Sequence, residues 1–305
     1  MIYVITGQTA TGKTSYALKL AQELGGELIN ADARQLYKNL DIVTGKDLNN
    51  TSGPYRLIEK YGNADIGYYP FNTSNRLWLY DILTPNQPFS PYDYKKCAQW
   101  VIDNIKSRGK IPIIVGGSYF YIQHLLYNVV DNNVPPNQDL RDELNHYTTQ
   151  ELQVRLKKLN ANLFDSLNNS EQNNPQRLIR KIEKEEYDFP FKGSTSEHAG
   201  GRNVGIQITG FQFKKIQDLE EAIRSRVEKR IEFGAIDETK QLLNDGYTAH
   251  DPGMKTIGYT QIIQHLNDEL TRDQMKEVWI TKEVQYAKRQ FTFMKKDINI
   301  VWKYR

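Results

Sequence analysis

Residues 1–14, MIYVITGQTATGKT, decide the fold. Met1–Thr6 is mostly apolar and β-branched, the pattern of a short buried strand. Gly7-Gln8-Thr9-Ala10-Thr11-Gly12-Lys13-Thr14 then matches G-x-x-x-x-G-K-[ST] in full. Ser15–Leu24 follows with helix formers whose apolar members recur at helical spacing. Strand, glycine-punctuated turn and helix in that order make a phosphate loop. The glycines let several backbone N–H groups wrap an anion, and the helix N-terminus adds a favourable dipole. Lys13 supplies a positive point charge, and the Thr14 hydroxyl is a ligand for Mg²⁺. The motif specifies phosphate without specifying ATP, because a diphosphate ester fits the same cradle.

Working outward, Leu28–Ala31 reads as a second strand and Leu77–Leu83 (LWLYDIL) as a third. Ser90-Pro91 starts a helix, with Ser as N-cap and Pro at the first helical position, that runs to about Arg108 and ends at Gly109. Ile111–Val115 is another buried strand and leads directly into Gly116-Gly117-Ser118. Strands alternating with helices at this spacing predict a parallel sheet covered by helices. Lys46–Asn75, polar and rich in Gly, Asn and Tyr, reads as an irregular insertion. From Val134 to Glu186 the pattern is polar and helical, closed by a loop at Phe189–Arg202; Val204–Thr209 alternates like a strand returning to the sheet, and three helices fill Ile216 to about Lys296. The expected fold class is α/β, a P-loop NTPase-like parallel sheet core with an inserted helical domain and C-terminal helices. Residues 1–130 and 200–305 form the core, and 131–199 the insertion.

Composition narrows the function classes. At 305 residues the chain exceeds what one hydrophobic core usually covers. With 39% apolar and 25% charged residues it is ordinary globular protein. No window approaches the roughly 18 apolar residues of a membrane span, and the N-terminus lacks a secretory pattern. Cys97 is the single cysteine, so neither an intrachain disulfide nor a thiolate metal site forms, and a reducing cytoplasm is expected. The five histidines show no metal-ligand spacing. Net charge is only +3 from 40 basic and 37 acidic residues, so any nucleic-acid footprint is local. One such patch is Lys282, Lys288, Arg289, Lys295 and Lys296, interleaved with Tyr286, Phe291 and Phe293.

Asp32 follows the second strand, at the carboxyl edge of the sheet where ligands of open α/β sheets bind. A carboxylate there either ligates Mg²⁺ or accepts a proton from a nucleophile, and Ser118 ends the later strand at the same edge. With these in place, the chain resembles the tRNA dimethylallyltransferase (tRNA isopentenyltransferase) family of bacterial type. The resemblance is carried by GQTATGKT at Gly7–Thr14, DARQLY at Asp32–Tyr37, DIVTGK at Asp41–Lys46, GGSYFYI at Gly116–Ile122, NNPQRLIR at Asn173–Arg180, KTIGYTQ at Lys255–Gln261 and YAKRQFTF at Tyr286–Phe293.

The resemblance implies transfer of a dimethylallyl group from dimethylallyl diphosphate to N6 of adenosine 37 of tRNA. It implies Mg²⁺ as cofactor, no membrane, and a cytoplasmic monomer whose insertion clasps the anticodon stem-loop. It further implies that Gly7, Thr9, Ala10, Thr11, Gly12, Lys13, Thr14 and Arg226 hold the diphosphate, that Asp32 is the general base, and that Ser118 and Lys13 assist it. Asp32, Arg34, Gln35, Ser118, Arg141, Gln176, Arg177, Arg180, Lys255, Gly258, Tyr259, Lys288, Arg289 and Gln290 are implied tRNA contacts. Ala33 stands where the family has Ser, Ser118 where it has Thr, Tyr119 where it has a small residue and Ala222 where it has Arg; Arg224 and Arg226 are the candidates to replace that Arg, and Tyr119 is expected to narrow the channel. Three competing readings share parts of this set: a P-loop small-molecule kinase, prenyl transfer to a free adenine nucleotide, and a nucleic-acid-binding protein with an inactive site.

Overall fold

The computed structural model describes residues 1–46, 48, 51–71, 75–127, 134–187 and 205–305. It divides into two compact units, Met1–Leu126 with Arg202–Arg305, and Tyr127–Gly201. The expected loop at Phe189–Arg202 lies outside the described residues.

The first unit is built on an eight-stranded sheet. In chain order its strands are β1 (Ile2–Gly7), β2 (Glu27–Asn30), β3 (Arg56–Tyr61), β4 (Ala64–Pro70), β5 (Arg76–Trp78), β6 (Pro112–Val115), β7 (Ile206–Gln212) and β8 (Ile300–Tyr304). They lie in the order β3-β4-β5-β2-β6-β1-β7-β8. β1 sits between β6 and β7, parallel to both, with Val4 opposite Ile114 and Ile208. Strands buried on both faces read as continuous apolar runs, which is why MIYVIT and IPIIV are legible in the sequence. The parallel arrangement brings the ends of β1, β2 and β6 to one edge: Gly7, Asn30 and Val115 each precede a turn there.

Three sequence expectations are corrected. Lys46–Asn75 is not irregular: it contains β3 and β4, an antiparallel hairpin that extends the sheet beyond β5. Every residue of Arg56–Lys60 is exposed, so no period-2 burial pattern marks that strand. The strand expected over Leu77–Leu83 stops at Trp78, because Leu79 (φ 60°) and Asp81 (φ 54°) take left-handed conformations. Four helices, not three, follow β7: α9 (Ile216–Glu232), α10 (Ala235–Asn244), α11 (Tyr259–Leu266) and α12 (Arg272–Met294). Gly234 separates the first two. β8, absent from the sequence reading, then joins the edge of the sheet beside β7.

Helices cover the sheet. α1 (Lys13–Leu24) buries Ala17 and Ala21 against Ile5, Leu28 and Ile113. α2 (Pro91–Ser107) begins as expected at Ser90, whose hydroxyl accepts Asp93 N–H while the Asp93 carboxylate accepts Ser90 N–H, a complete capping box. α3 (Tyr119–Leu126) follows β6. The second unit contains five helices among its described residues: α4 (Gln138–Leu144), α5 (Thr149–Leu159), α6 (Ala161–Ser166), α7 (Asn169–Gln172) and α8 (Pro175–Glu186). They enclose a core of their own around Leu144, Leu152, Leu156, Leu178 and Ile182.

Candidate active site

The loop after β1 has the backbone its sequence demands. Ala10 (φ 61°) and Gly12 (φ 78°) are left-handed, and Gly12 caps α1 without any side-chain hydrogen bond. The first turn of α1 therefore keeps N–H groups free of a competing carboxylate, and no acidic residue lies in it. The loop is braced internally: Thr11 Oγ1 donates to Gln8 O at 2.7 Å, and Lys13 Nζ donates to the same oxygen at 2.6 Å. Lys13 is an ammonium under strain. Burial first, then the neighbouring Arg226, bring its pKa down to about 7, with Asp32 acting the other way.

Asp32 is held in an Asx turn. Its N–H donates to Asn30 Oδ1 at 3.0 Å, and its Oδ1 accepts Arg34 N–H at 3.0 Å. Oδ2 accepts no hydrogen bond from a described residue and points toward Gly117, leaving one carboxylate oxygen free. Ser118 lies beside it: its hydroxyl oxygen accepts Ala33 N–H at 2.9 Å, and its own N–H donates to Ala31 O at 3.1 Å. The turn after β6 is thereby stitched to the turn after β2. Ala33 thus takes part through its backbone, which a missing side-chain hydroxyl does not affect.

Of the two candidate arginines, Arg226 reaches the loop and Arg224 does not. Arg226 donates to Thr9 Oγ1 and, at 3.4 Å, to Thr44 O. Arg224 points outward and forms a two-bond pair with Glu277, at 2.6 and 2.9 Å. Beside Asp32 opens a cleft of about 360 Å³ lined by Ala33, Arg34, Tyr37, Pro88, Phe89, Tyr121, Pro252 and Lys255. Arg34 is anchored in its wall by a 3.0 Å bond to Pro252 O, while Lys255 is exposed. Tyr119, expected to narrow the channel, is not among the residues lining this cleft; its hydroxyl donates to Asp297 and its ring packs edge-on against Phe293.

The donor set suits a divalent cation shared with a ligand. No group of three His, Cys, Asp or Glu that could hold a metal exists among the described residues. Thr14 in the first turn of α1 offers one hydroxyl, and a hard cation of this kind completes its shell with phosphate oxygens and water.

A family model described as IPP transferase matches residues 72–297, and one described as isopentenyl transferase matches residues 1–56. The chain is 34% identical to tRNA dimethylallyltransferase 1 of Citrifermentans bemidjiense over 99% of its own length and 91% of that protein. It is 30% identical to tRNA dimethylallyltransferase of Staphylococcus carnosus over 99% and 90%. Among solved structures it is similar to the full-length tRNA isopentenylpyrophosphate transferase of Bacillus halodurans, with TM-score 0.66 and 26% identity, covering 99% of this chain and 89% of that one. The chain belongs to the tRNA dimethylallyltransferase family.

Family membership gives the remaining motif residues a common label, but their environments differ. Gln176 and Arg177 are exposed at the start of α8. Arg141 and Arg180, both partly exposed, are tied into an ion-pair cluster. Both grip the buried Glu183, Arg141 through bonds of 2.8 and 2.9 Å and Arg180 through a close ion pair, while Arg180 also donates to Val134 O at 2.8 Å. Gly258 and Tyr259, expected at the tRNA surface, are buried. Gly258 lies against Val43 and Trp279. Tyr259 donates its hydroxyl to Glu238 Oε1 at 2.5 Å, and the Glu238 carboxylate accepts the N–H groups of Asp41, Ile42 and Val43 at 3.0, 2.7 and 3.1 Å. These residues hold the 41–46 turn in place. Gln35 reaches the same turn, donating to Thr44 O and Gly45 O at 3.3 and 3.1 Å. Gln290 is likewise buried, donating to Gly117 O at 2.9 Å and so fixing the turn that carries Ser118. On α12, Lys288 is exposed and loosely paired with Glu220 at 3.4 Å, and Arg289 is exposed. Glu238 was missed by sequence reasoning because nothing local marks a helix-start glutamate as the clamp of a turn 197 residues earlier.

Proposed function

We propose that the protein transfers a dimethylallyl group from dimethylallyl diphosphate to N6 of adenosine 37 of tRNA, beside the anticodon. One observation carries this reading: a carboxylate oxygen of Asp32 left without a hydrogen bond, in the same electrostatic neighbourhood as Lys13 and Arg226.

The chemistry needs that pairing. An exocyclic adenine amine is a poor nucleophile, since its lone pair is delocalised into the ring, so the electrophile must be loosened. As the C–N bond forms, the allylic C–O bond breaks, the diphosphate departs with the electron pair, and the N6 proton passes to Asp32 Oδ2. Lys13, Arg226 and the N–H groups of the first turn of α1 stabilise the departing charge in place. Mg²⁺, held by Thr14 and the diphosphate oxygens, would add charge neutralisation to the leaving group. Ser118 keeps the Asp32 segment in register with the 116–118 turn. The cleft lined by Tyr37, Phe89 and Tyr121 offers aromatic faces to a nucleotide taken out of its stack, and Arg34 and Lys255 offer cations to its phosphates. Arg177, Lys288 and Arg289, exposed and basic, are the residues we assign to the tRNA backbone, with the protein acting as a monomer in the cytoplasm. No helix among the described residues is long and apolar enough to cross a membrane.

Nucleoside mass spectrometry tests the reading. Transfer RNA incubated with the protein, Mg²⁺ and dimethylallyl diphosphate is expected to yield N6-dimethylallyladenosine on digestion. Phosphate release from ATP that depends on a small acceptor, with no prenylated nucleoside, would favour a kinase; prenylation of free adenine nucleotide but not of tRNA would exclude the macromolecular acceptor.

A further inference from the structure

α9 carries Arg226 and Arg230 four residues apart, so the two side chains lie over one another on one helix face. Position 222, one turn earlier on that face, is Ala. Arg226 is accounted for by Thr9. Arg230 is only partly accounted for. It is 6% exposed, and one nitrogen donates to Glu283 Oε1 at 3.0 Å. Its Nε is buried without a partner. Its Nη2 stands 2.8 Å from the point a Cβ on Gly45 would occupy, and Arg226 Nη2 stands 2.9 Å from the same point. The two guanidinium groups therefore converge on the 41–46 turn, and glycine at 45, with φ 66°, is what leaves them room.

Arg226 is half-buried and Arg230 buried, and like charges brought together with this little water around them are costly unless anions balance them. The balance here is incomplete. Among the described residues Glu283 is the only carboxylate that Arg230 touches, and it also accepts Trp279 Nε1 at 3.4 Å. Arg230 has its pKa drawn down to about 10 by burial and by Arg226, with Glu283 and Asp32 opposing. Lys13 adds a third cation to the same neighbourhood. A bridge that served only to pack α9 on α12 would use one arginine against one carboxylate and leave no buried donor idle. An anion with several oxygens uses the idle Nε and the surplus charge together.

We propose that Arg230 is a second diphosphate-binding arginine: the edge of its guanidinium that Glu283 does not occupy binds the diphosphate alongside Arg226 and Lys13. The second cation on this face of α9 thus comes one turn after Arg226, where the face carries Ala one turn before it. This assignment rests on the reading that the donor is a diphosphate ester.

Calorimetric titration of the full chain with inorganic pyrophosphate and Mg²⁺ tests it. Arg230→Met combined with Glu283→Gln removes cation and carboxylate together, so no unpaired charge is left buried. Pyrophosphate affinity is expected to fall about 10- to 100-fold, the range for losing a charge-assisted contact, and KM for dimethylallyl diphosphate to rise in step, with tRNA affinity within about twofold of the parent. Arg230→Lys keeps the pair with Glu283 but not the planar fork, and is expected to lose about tenfold. If the double variant does not fold, this variant decides. Parental pyrophosphate affinity in either folded variant makes Arg230 a packing residue and overturns the proposal, as does an equal loss of tRNA affinity. Failure of the transferase reading looks different: pyrophosphate binding would depend on Arg230 as described, yet no prenylated nucleoside would form.

Discussion

In the helical unit Glu183 is met by two arginines, Arg141 and Arg180, and by Asn137 N–H at 2.6 Å. In the core, Arg226 and Arg230 converge on one turn, and among the described residues Glu283 is the single carboxylate bonded to either. Both places bring two arginines and one carboxylate into one cluster, yet Glu183 bonds both of its arginines and Glu283 bonds one. Glu183 is saturated: burial raises its pKa, but the hydrogen bonds from Arg141 and Arg180 outweigh that and hold the carboxyl below its usual value. In the core cluster Arg230 Nε is left buried without a partner, and no carboxylate among the described residues bonds Arg226. A motif that names arginines therefore does not say what they do; whether the carboxylate that the fold delivers bonds both arginines, as Glu183 does, or one of them, as Glu283 does, decides between a structural clamp and a ligand site.

The largest expected effect falls on the core. Asp32→Ala should lower turnover roughly 10²- to 10⁴-fold, the range for a general base, while tRNA binding changes little; single-turnover prenylation measures this, and turnover within about threefold of the parent would remove Asp32 from the chemistry. Next comes the helical unit, where Glu183→Ala leaves two cations facing each other. A loss of about 3–5 kcal/mol is expected, as for a broken buried pair, read as a lower unfolding midpoint. Parental stability would break the comparison.

A third test uses pH. Lys13 has a lowered pKa of about 7, so in the free enzyme it loses its proton as pH rises through 7, and the diphosphate site loses a cation. Because pyrophosphate itself gains charge over this range, the signature is a ratio: the affinity of the parent relative to Lys13→Met should be highest below pH 7 and fall above it. Binding near pH 8 should take up a proton, visible as a buffer-dependent heat, because the bound anion drives the pKa back up. A ratio that does not change with pH would assign the titration to another group.

The smallest effects separate exposed arginines from committed ones. Arg177→Ala should make the log–log salt dependence of tRNA affinity shallower by about one at parental stability. Arg180→Ala should lower the stability of the helical unit through Glu183. Lys288→Ala, breaking a surface pair with Glu220, should alter the salt slope and leave stability untouched. An Arg180 variant that changes the salt slope at full stability would move that residue from clamp to RNA contact.

What could be read in advance follows from the range of the interactions. The phosphate loop was legible because its glycines, lysine and hydroxyls are contiguous and each is required by local backbone geometry. The start of α2 was legible for the same reason, Ser90 and Asp93 being three residues apart. The buried strands β1 and β6 announced themselves by apolar runs. The β3–β4 hairpin did not, since an edge strand with both faces wet carries no pattern, and its ties run through Lys46, buried and bonded to Tyr37 O, Asp41 and Asp81, with Asp81 accepting the hydroxyl of Tyr69 at 2.6 Å.

The sequence by itself determined the strand–loop–helix phosphate site, the parallel core, and the motif set that marks the family. Only the tertiary structure decided which motif residues are exposed and which are tied into internal hydrogen bonds and ion pairs. Tyr259, Gly258 and Gln290 became supports for the 41–46 and 116–118 turns, Arg180 a clamp for Glu183, and Arg230 a cation without its full complement. The reason is physical. Backbone conformation is set within a few residues, whereas the fate of a charge is set by desolvation and by whichever opposite charges packing brings near it, such as Glu283, 53 residues from Arg230 along the chain.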